Sequence, residues 1–164
     1  MELAAFNRLS ADEAKAAIRH CVAIPHWQQS LVAARPFDTL DALRATADAL
    51  ARQWHQTELE AALSAHPRIG ERAHGADKEA ALSRGEQSAM QQADSALQQA
   101  MQQGNQAYEA RFGRVFLIRA KGRSGEQMLA ELQRRLQNSD PAEQQEALDQ
   151  LREITLLRLK ETIQ

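Results

Sequence analysis

The sequence predicts an all-α fold, a single-domain bundle of about seven or more helices with no sheet, over residues 1–164. Three observations support this prediction. A small oxygen-bearing residue followed three positions later by Glu or Gln, which is typical of a capped helix start, recurs along the chain. Apolar residues between these starts repeat every three or four positions, as on the buried face of a helix. Finally, β-branched residues cluster in one short run only, and one strand cannot form a sheet.

Helix starts in the first third of the chain are marked by capping residues and by proline. Ser10 and Thr57 each precede a glutamate by three positions, so each predicts a capping box. A proline suits the first turn of a helix over 25–34. A leucine and alanine period with early aspartates predicts the next helix over 37–54.

The remaining helices are predicted in the same way. The longest should run over 85–112. Residues at alternating spacings of three and four give it a narrow seam of small residues that another helix can approach closely: Met90, Ala93, Leu97, Ala100, Gly104 and Ala107. Residues 115–118 should be a buried extended connector between two glycines. The last helix should cover 141–162. Its start and the two before it carry the same capping pattern: Ser83 with Glu86, Ser124 with Gln127, and Asp140-Pro141 with Glu143.

Composition limits the function classes. The formal charge is −2 with the two signs interspersed, whereas a nucleic-acid or anionic-membrane partner requires a basic stripe. Cys21 is the only cysteine, which excludes an intramolecular disulfide and a thiolate metal cluster. No segment has the apolar core of a signal peptide or approaches about 18 apolar residues. We therefore expect a cytoplasmic protein with no membrane and no nucleic-acid partner.

His66 followed by Pro67 is the first candidate for chemistry. A residue before proline is pushed out of helical dihedrals, so the imidazole should leave the preceding helix at its C-terminal end, where the dipole favours the protonated ring. Such a histidine is either a helix cap or a proton-transferring group. With Glu71 and His74 it could also form a metal site, although a spacing of eight residues is not a helical ligand spacing.

Two further ionisable residues are candidates. Glu86 begins the predicted long helix at the end of its buried seam, where it either caps Ser83 or orients a histidine or a substrate. Arg158 lies inside the apolar arc of the last helix, and a buried guanidinium requires an anion, either an internal glutamate or a substrate. By contrast, Arg134 and Arg135 are predicted to form a solvated face.

Four motifs follow one another in order between residues 66 and 159: His66-Pro67-x-Ile69-Gly70, Ser83-x-x-Glu86-Gln87, Asn105-x-x-Tyr108-x-x-Arg111-Phe112-Gly113-x-x-Phe116-x-Ile118, and Ile154-x-x-Leu157-Arg158-Leu159. Together they resemble the OHCU decarboxylase family of urate degradation. Its members convert 2-oxo-4-hydroxy-4-carboxy-5-ureidoimidazoline (OHCU) to S-allantoin and carbon dioxide. The resemblance implies an all-helical fold, usually a homodimer, OHCU as the small-molecule substrate, and no metal or organic cofactor.

The resemblance also implies site residues. The family's catalytic histidine, glutamate and arginine correspond to His66, Glu86 and Arg158. Its substrate contacts, made partly through backbone groups, correspond to three segments: Pro67; Ser83, Arg84, Gly85, Glu86 and Gln87; and Phe116, Leu117, Ile118, Arg119 and Ala120.

Our mechanistic hypothesis assigns one task to each ionisable residue. His66 acts as the acid/base on the 4-hydroxyl and the developing enol, Glu86 positions His66 or the ring and ureido N–H groups, and Arg158 neutralises an anion, either Glu86 or the substrate. Two alternatives remain open. One is a non-catalytic helical interaction module that uses the small-residue seam, and the other is a metal hydrolase that uses His66, Glu71 and His74.

Overall fold

A computed structural model describes residues 1–64, 68–69, 82 and 85–164 of the chain. Within this part of the chain there are nine α-helices and one short 3-10 helix at Arg19–Cys21, and there is no strand. The predicted all-α fold class is confirmed. The helices are α1 Leu3–Arg8, α2 Ala11–Ile18, α3 Pro25–Ala33, α4 Leu40–Ala51, α5 Gln56–Leu63, α6 Ser88–Gln91, α7 Ser95–Phe112, α8 Gly125–Arg135 and α9 Asp140–Thr162.

The described residues divide into two compact units. The first unit comprises Met1–Ala62 and Arg152–Gln164, and the second comprises Leu63–Leu151. The division falls within α9, so the first part of that helix belongs to the second unit and its last part to the first unit. That residues 1–164 form a single domain stays a prediction. No described helix combines the length and apolarity needed to cross a bilayer.

In the first unit, helix starts are determined by contacts between residues close in sequence. The Ser10 hydroxyl accepts the Glu13 N–H at 3.1 Å, and the Glu13 carboxylate accepts the Ser10 N–H at 3.1 Å, which confirms this capping box. Helix α4 begins three residues later than predicted, because the Thr39 hydroxyl accepts the Ala42 N–H at 3.0 Å. The capping box predicted at Thr57 is wrong, because α5 already begins at Gln56 and the Glu58 carboxylate accepts the His55 N–H at 3.0 Å.

Two tryptophans form the centre of the first unit. Trp27 on α3 and Trp54 after α4 pack edge to face with ring centroids 6.3 Å apart, and both are 1% exposed. The Trp27 indole N–H donates to the Ala47 carbonyl at 3.1 Å, which satisfies the polar atom of a buried ring. This packing fixes α3 against α4.

The predicted longest helix, 85–112, is wrong, because Asp94 interrupts it. The Asp94 backbone is extended, with φ −66° and ψ 166°, and its carboxylate accepts the Leu97 N–H at 2.8 Å. Aspartate competes for backbone hydrogen bonds and therefore favours a cap over a helix interior. As a result the chain forms the short α6 and then α7, which ends as predicted at Phe112 with Gly113 in the left-handed conformation at φ 71°.

Helices α7 and α8 form the centre of the second unit, and they approach each other closely at Gly104. A Cβ atom at Gly104 would lie 2.5 Å from the Leu132 Cδ2 atom, so only glycine fits this contact without a shift of the leucine. The predicted close approach of another helix to the small-residue seam is confirmed. Ala107, however, is exposed, because the buried face of α7 is formed by Met101, Asn105 and Tyr108.

The segment between α7 and α8 is the predicted buried connector. Residues 115–120 have neither helical nor strand structure, and Phe116 and Ile118 are 1% and 3% exposed. A capping box of Ser124 and Gln127 begins α8, as predicted. The predicted capping role of Glu143 is wrong: the Ser139 hydroxyl accepts the Ala142 N–H at 3.3 Å, and the Glu143 side chain is fully buried elsewhere.

Candidate functional site

The predicted site residues divide into two groups. Gly85, Glu86, Gln87, the connector residues Phe116–Ala120 and Arg158 belong to the described part of the chain. The others lie outside the described residues: His66, Pro67, Ser83 and Arg84, together with Glu71 and His74 of the metal alternative.

Arg158 is the buried cation of the first unit. It is 1% exposed, which confirms its predicted inner-face position on α9, and its Nη1 donates to the His20 carbonyl at 3.2 Å. The His20 Nε2 lies 2.7 Å from the Thr162 hydroxyl, one helical turn after Arg158. Helix α9 therefore holds this guanidinium within a polar cluster that is shielded from water.

Glu86 lies in the second unit, just before α6. Gly85 is exposed, Glu86 is half-buried and Gln87 is 4% exposed. The Gln87 carbonyl accepts the Met90 N–H at 3.0 Å, and Met90 is fully buried in the apolar cluster of this unit. The segment therefore passes from surface to core within a few residues, and Glu86 stands at that boundary as the sequence predicts.

The connector is held by hydrogen bonds from two helices. The Leu117 carbonyl accepts from the Arg135 Nη1 at 2.7 Å, and the Arg119 N–H donates to the Gln150 Oε1 at 2.8 Å. The Arg135 guanidinium also lies over the Phe116 ring, with its Cζ 4.6 Å from the ring centroid. An extended segment with no ladder of its own thereby obtains partners for its backbone.

Arg135 belongs to a buried ionic network that sequence reasoning missed. Its Nε donates to the Glu143 Oε1 at 2.8 Å, and the Tyr108 hydroxyl donates to the same oxygen at 2.7 Å. The prediction that Arg135 forms a solvated face is wrong, because it is 1% exposed, whereas Arg134 beside it is exposed as predicted. The spacing of Met128, Leu132 and Arg135 was the available signal, because it places the arginine on the apolar arc of α8.

Tyr108 offers a direct titration of this network. Burial, and then the hydrogen bond to Glu143, raise the pKa of Tyr108 from 10.0 to about 12. Because the raised pKa favours the neutral phenol, its contribution to stability is complete below about pH 10 and is lost as the pH rises towards 12. Tyr108 is the only tyrosine, so the absorbance of tyrosinate reports this group alone. We expect a midpoint near 12 in the folded protein, and a midpoint near 10 would contradict the network.

Residues 68 and 69, which directly follow the His66-Pro67 motif, are attached to α7. The Asn105 Nδ2 donates to the Ile69 carbonyl at 2.6 Å, and the Arg68 Nε donates to the Glu109 Oε1 at 2.8 Å. Both residue pairs border a surface pocket of about 620 Å³. Asn105 is 4% exposed, and sequence reasoning had assigned it no role.

The metal alternative gains no support from the described side chains. Among them, no group of three or more His, Cys, Asp or Glu side chains could hold a metal ion. The ligands of that alternative lie outside the described residues, so a rate assay in EDTA is the test of a metal site.

Comparison with known proteins identifies the family. Residues 7–160 match the family model described as OHCU decarboxylase. The chain belongs to this family. It is therefore an enzyme of the carboxy-lyase class. A 2-oxo-4-hydroxy-4-carboxy-5-ureidoimidazoline decarboxylase of Haloferax volcanii is 30% identical over 128 residues, which cover 77% of this chain and 74% of that protein.

Two solved structures share the fold of this chain. The crystal structure of an OHCU decarboxylase in the presence of (S)-allantoin superposes with a TM-score of 0.74 at 26% identity, covering 87% of this chain and 94% of that chain. An (S)-allantoin synthase structure also gives a TM-score of 0.74, at 18% identity, and covers 99% of this chain and 54% of that chain. At this lower identity the second likeness shows the fold alone.

Proposed function

We propose that this chain converts OHCU to S-allantoin and carbon dioxide, with His66 as the acid/base. The observation that carries the proposal is the family match over residues 7–160, which includes the motif positions of His66, Glu86 and Arg158. The Haloferax volcanii relative is named for decarboxylation of this substrate, and the structure at 26% identity is of an OHCU decarboxylase in the presence of (S)-allantoin, the product.

The chemistry of OHCU suits a site built from side chains alone. Its carboxylate is attached to a carbon next to a ring C=N bond, so the electron pair left by departing carbon dioxide moves into that bond, and no pyridoxal or thiamine sink is required. The enzyme must orient the carboxylate, stabilise the charge that moves to the ring, and transfer two protons. Each task suits a residue type in the family motifs.

His66 transfers the protons in this proposal. It removes the proton of the 4-hydroxyl, so that the carbon that has lost carbon dioxide becomes a carbonyl, and it delivers a proton to the adjacent ring carbon that bears the ureido group. Glu86, whose half-buried carboxylate lies at the edge of the core, orients His66 or accepts hydrogen bonds from the ring and ureido N–H groups. Arg158 neutralises an anion, and its burial supports this role, because a desolvated guanidinium binds a carboxylate more strongly than an exposed one.

The backbone segments add orientation. Polar groups of the connector Phe116–Ala120 and of residues 83–87 contact the substrate in this proposal. Delivery of the proton to one face of the ring gives a single enantiomer. We further propose that the chain acts as a homodimer in the cytoplasm, the first from the family resemblance and the second from its charge and cysteine content.

A rate assay tests the proposed function. OHCU generated in situ should disappear faster than its spontaneous decay, with a rate proportional to the amount of protein added. The same rate in EDTA would remove the metal-hydrolase alternative, because chelation removes the ion on which that reaction depends. A rate equal to spontaneous decay would instead favour the non-catalytic helical interaction module.

A further inference from the structure

Three attachments hold the two residues that follow the His66-Pro67 motif. The Ile69 side chain is 5% exposed and packs in the apolar cluster that contains Tyr108 and Phe116. Its carbonyl accepts from Asn105, and the preceding Arg68 pairs with Glu109. The two α7 partners are four residues apart and therefore lie on the same face of the helix.

The two polar attachments differ in strength. The Asn105 bond is buried, and a carbonyl only accepts hydrogen bonds, so the amide nitrogen must face Ile69. Removing this donor would leave a buried carbonyl unsatisfied. The Arg68 and Glu109 side chains are 46% and 24% exposed, so water screens their ion pair and it contributes little.

We infer that Asn105 is a positioning residue for His66. Asn105 holds the Ile69 carbonyl on α7, and His66 lies three residues before Ile69, so this hydrogen bond helps to position the His66 imidazole. The inference rests on the proposed function, which gives His66 its task. Covalent geometry supports it, because three extended residues span at most about 11 Å, so the His66 backbone lies within that distance of the Ile69 backbone. A misplacement of about 1 Å at a reacting group can cost about 10²-fold in rate.

Asn105→Asp tests this role, because the two side chains have nearly the same shape. An ionised carboxylate cannot donate to the Ile69 carbonyl, but a protonated one can. We expect kcat to fall about 10- to 100-fold at neutral pH with little change in KM. Burial raises the pKa of a carboxyl group, so the ratio of variant to wild-type kcat should recover as the pH is lowered. A loss caused by unfolding would instead appear in the circular dichroism spectrum, which we expect to match that of the wild type at neutral pH.

Glu109→Gln is the matched control, because it removes the exposed attachment on the same helix face. We expect its kcat to stay within about twofold of wild type. The inference would be overturned by normal kcat in a folded Asn105→Asp protein, by an equal loss at every pH, or by an equal loss in both variants.

A second variant separates this inference from the proposed function. Asn105→Leu is neutral, has a similar volume and cannot donate a hydrogen bond. In an NMR titration of the histidines, with the His66 resonance identified by its absence in His66→Gln, we expect Asn105→Leu to shift the His66 signal and to leave the signals of His20, His26 and His55 unchanged. An unmoved His66 signal would overturn the positioning role. A wild-type protein that is inactive on OHCU would overturn the proposed function, and this titration would still decide the role of Asn105.

Discussion

Replacing His66 with Gln is expected to lower kcat for OHCU decarboxylation by about 10²- to 10⁴-fold, which is the usual contribution of general acid/base catalysis. Glutamine keeps a polar side chain of similar size but cannot act as a general acid or base near neutral pH. The fold should persist, so the circular dichroism spectrum and the unfolding midpoint should match those of the wild type. The rate is measured on OHCU generated in situ, after subtraction of its spontaneous decay.

His26→Gln provides the matched control for this replacement. His26 lies at the start of α3, its side chain is 60% exposed, and it is 3.5 Å from the Glu58 carboxylate. Its loss should leave kcat unchanged, because a surface pair of this kind contributes little. A near-normal rate for His66→Gln, or an equal loss for His26→Gln, would contradict the assignment of His66 as the acid/base.

The second large effect is expected from Glu143→Gln, which should lower the free energy of unfolding by about 3–5 kcal/mol. The change removes the negative charge from a pair whose side chains are 1% and 0% exposed, so the Arg135 guanidinium stays buried without its counter-ion. The Tyr108 hydroxyl donates to the same carboxylate and loses its charged acceptor. Urea unfolding followed by circular dichroism measures the loss.

Glu146→Gln is the matched control, because it lies three residues later on α9 and pairs with Arg134, the neighbour of Arg135. The Arg134 Nη2 is 2.6 Å from the Glu146 Oε1, but the two side chains are 51% and 33% exposed. An exposed pair contributes about 0–1 kcal/mol, so this loss should be small. Equal losses for the two variants would contradict the account of the buried network.

Much of the fold could be predicted from the sequence because helix caps are local. The capping boxes of Ser10 and Ser124 involve residues three positions apart, so the pattern that predicts them is also the interaction that forms them. The break before α7 shows the limit. Asp94 lies within a periodic apolar pattern, and only its hydrogen bond to the Leu97 N–H turns that pattern into two helices.

The polar side chains that hold the candidate site could not be predicted in the same way, because their partners are distant in sequence. Asn105 reaches a carbonyl 36 residues earlier, and Arg135 reaches a carbonyl 18 residues earlier. No local sequence pattern predicts either contact. Arg158 differs, because its position on the apolar arc of a single helix already required its burial. The identity of the substrate was inferred from the family motifs, since none of these contacts identifies a ureidoimidazoline.

The most direct measurement for the central claim is the handedness of the allantoin produced, because spontaneous decay of OHCU can supply the product but not the stereochemistry. OHCU generated in situ is mixed with the protein, and the circular dichroism of allantoin is followed against a protein-free control. We expect S-allantoin alone, formed faster than in the control. Racemic allantoin formed at the spontaneous rate would contradict the account.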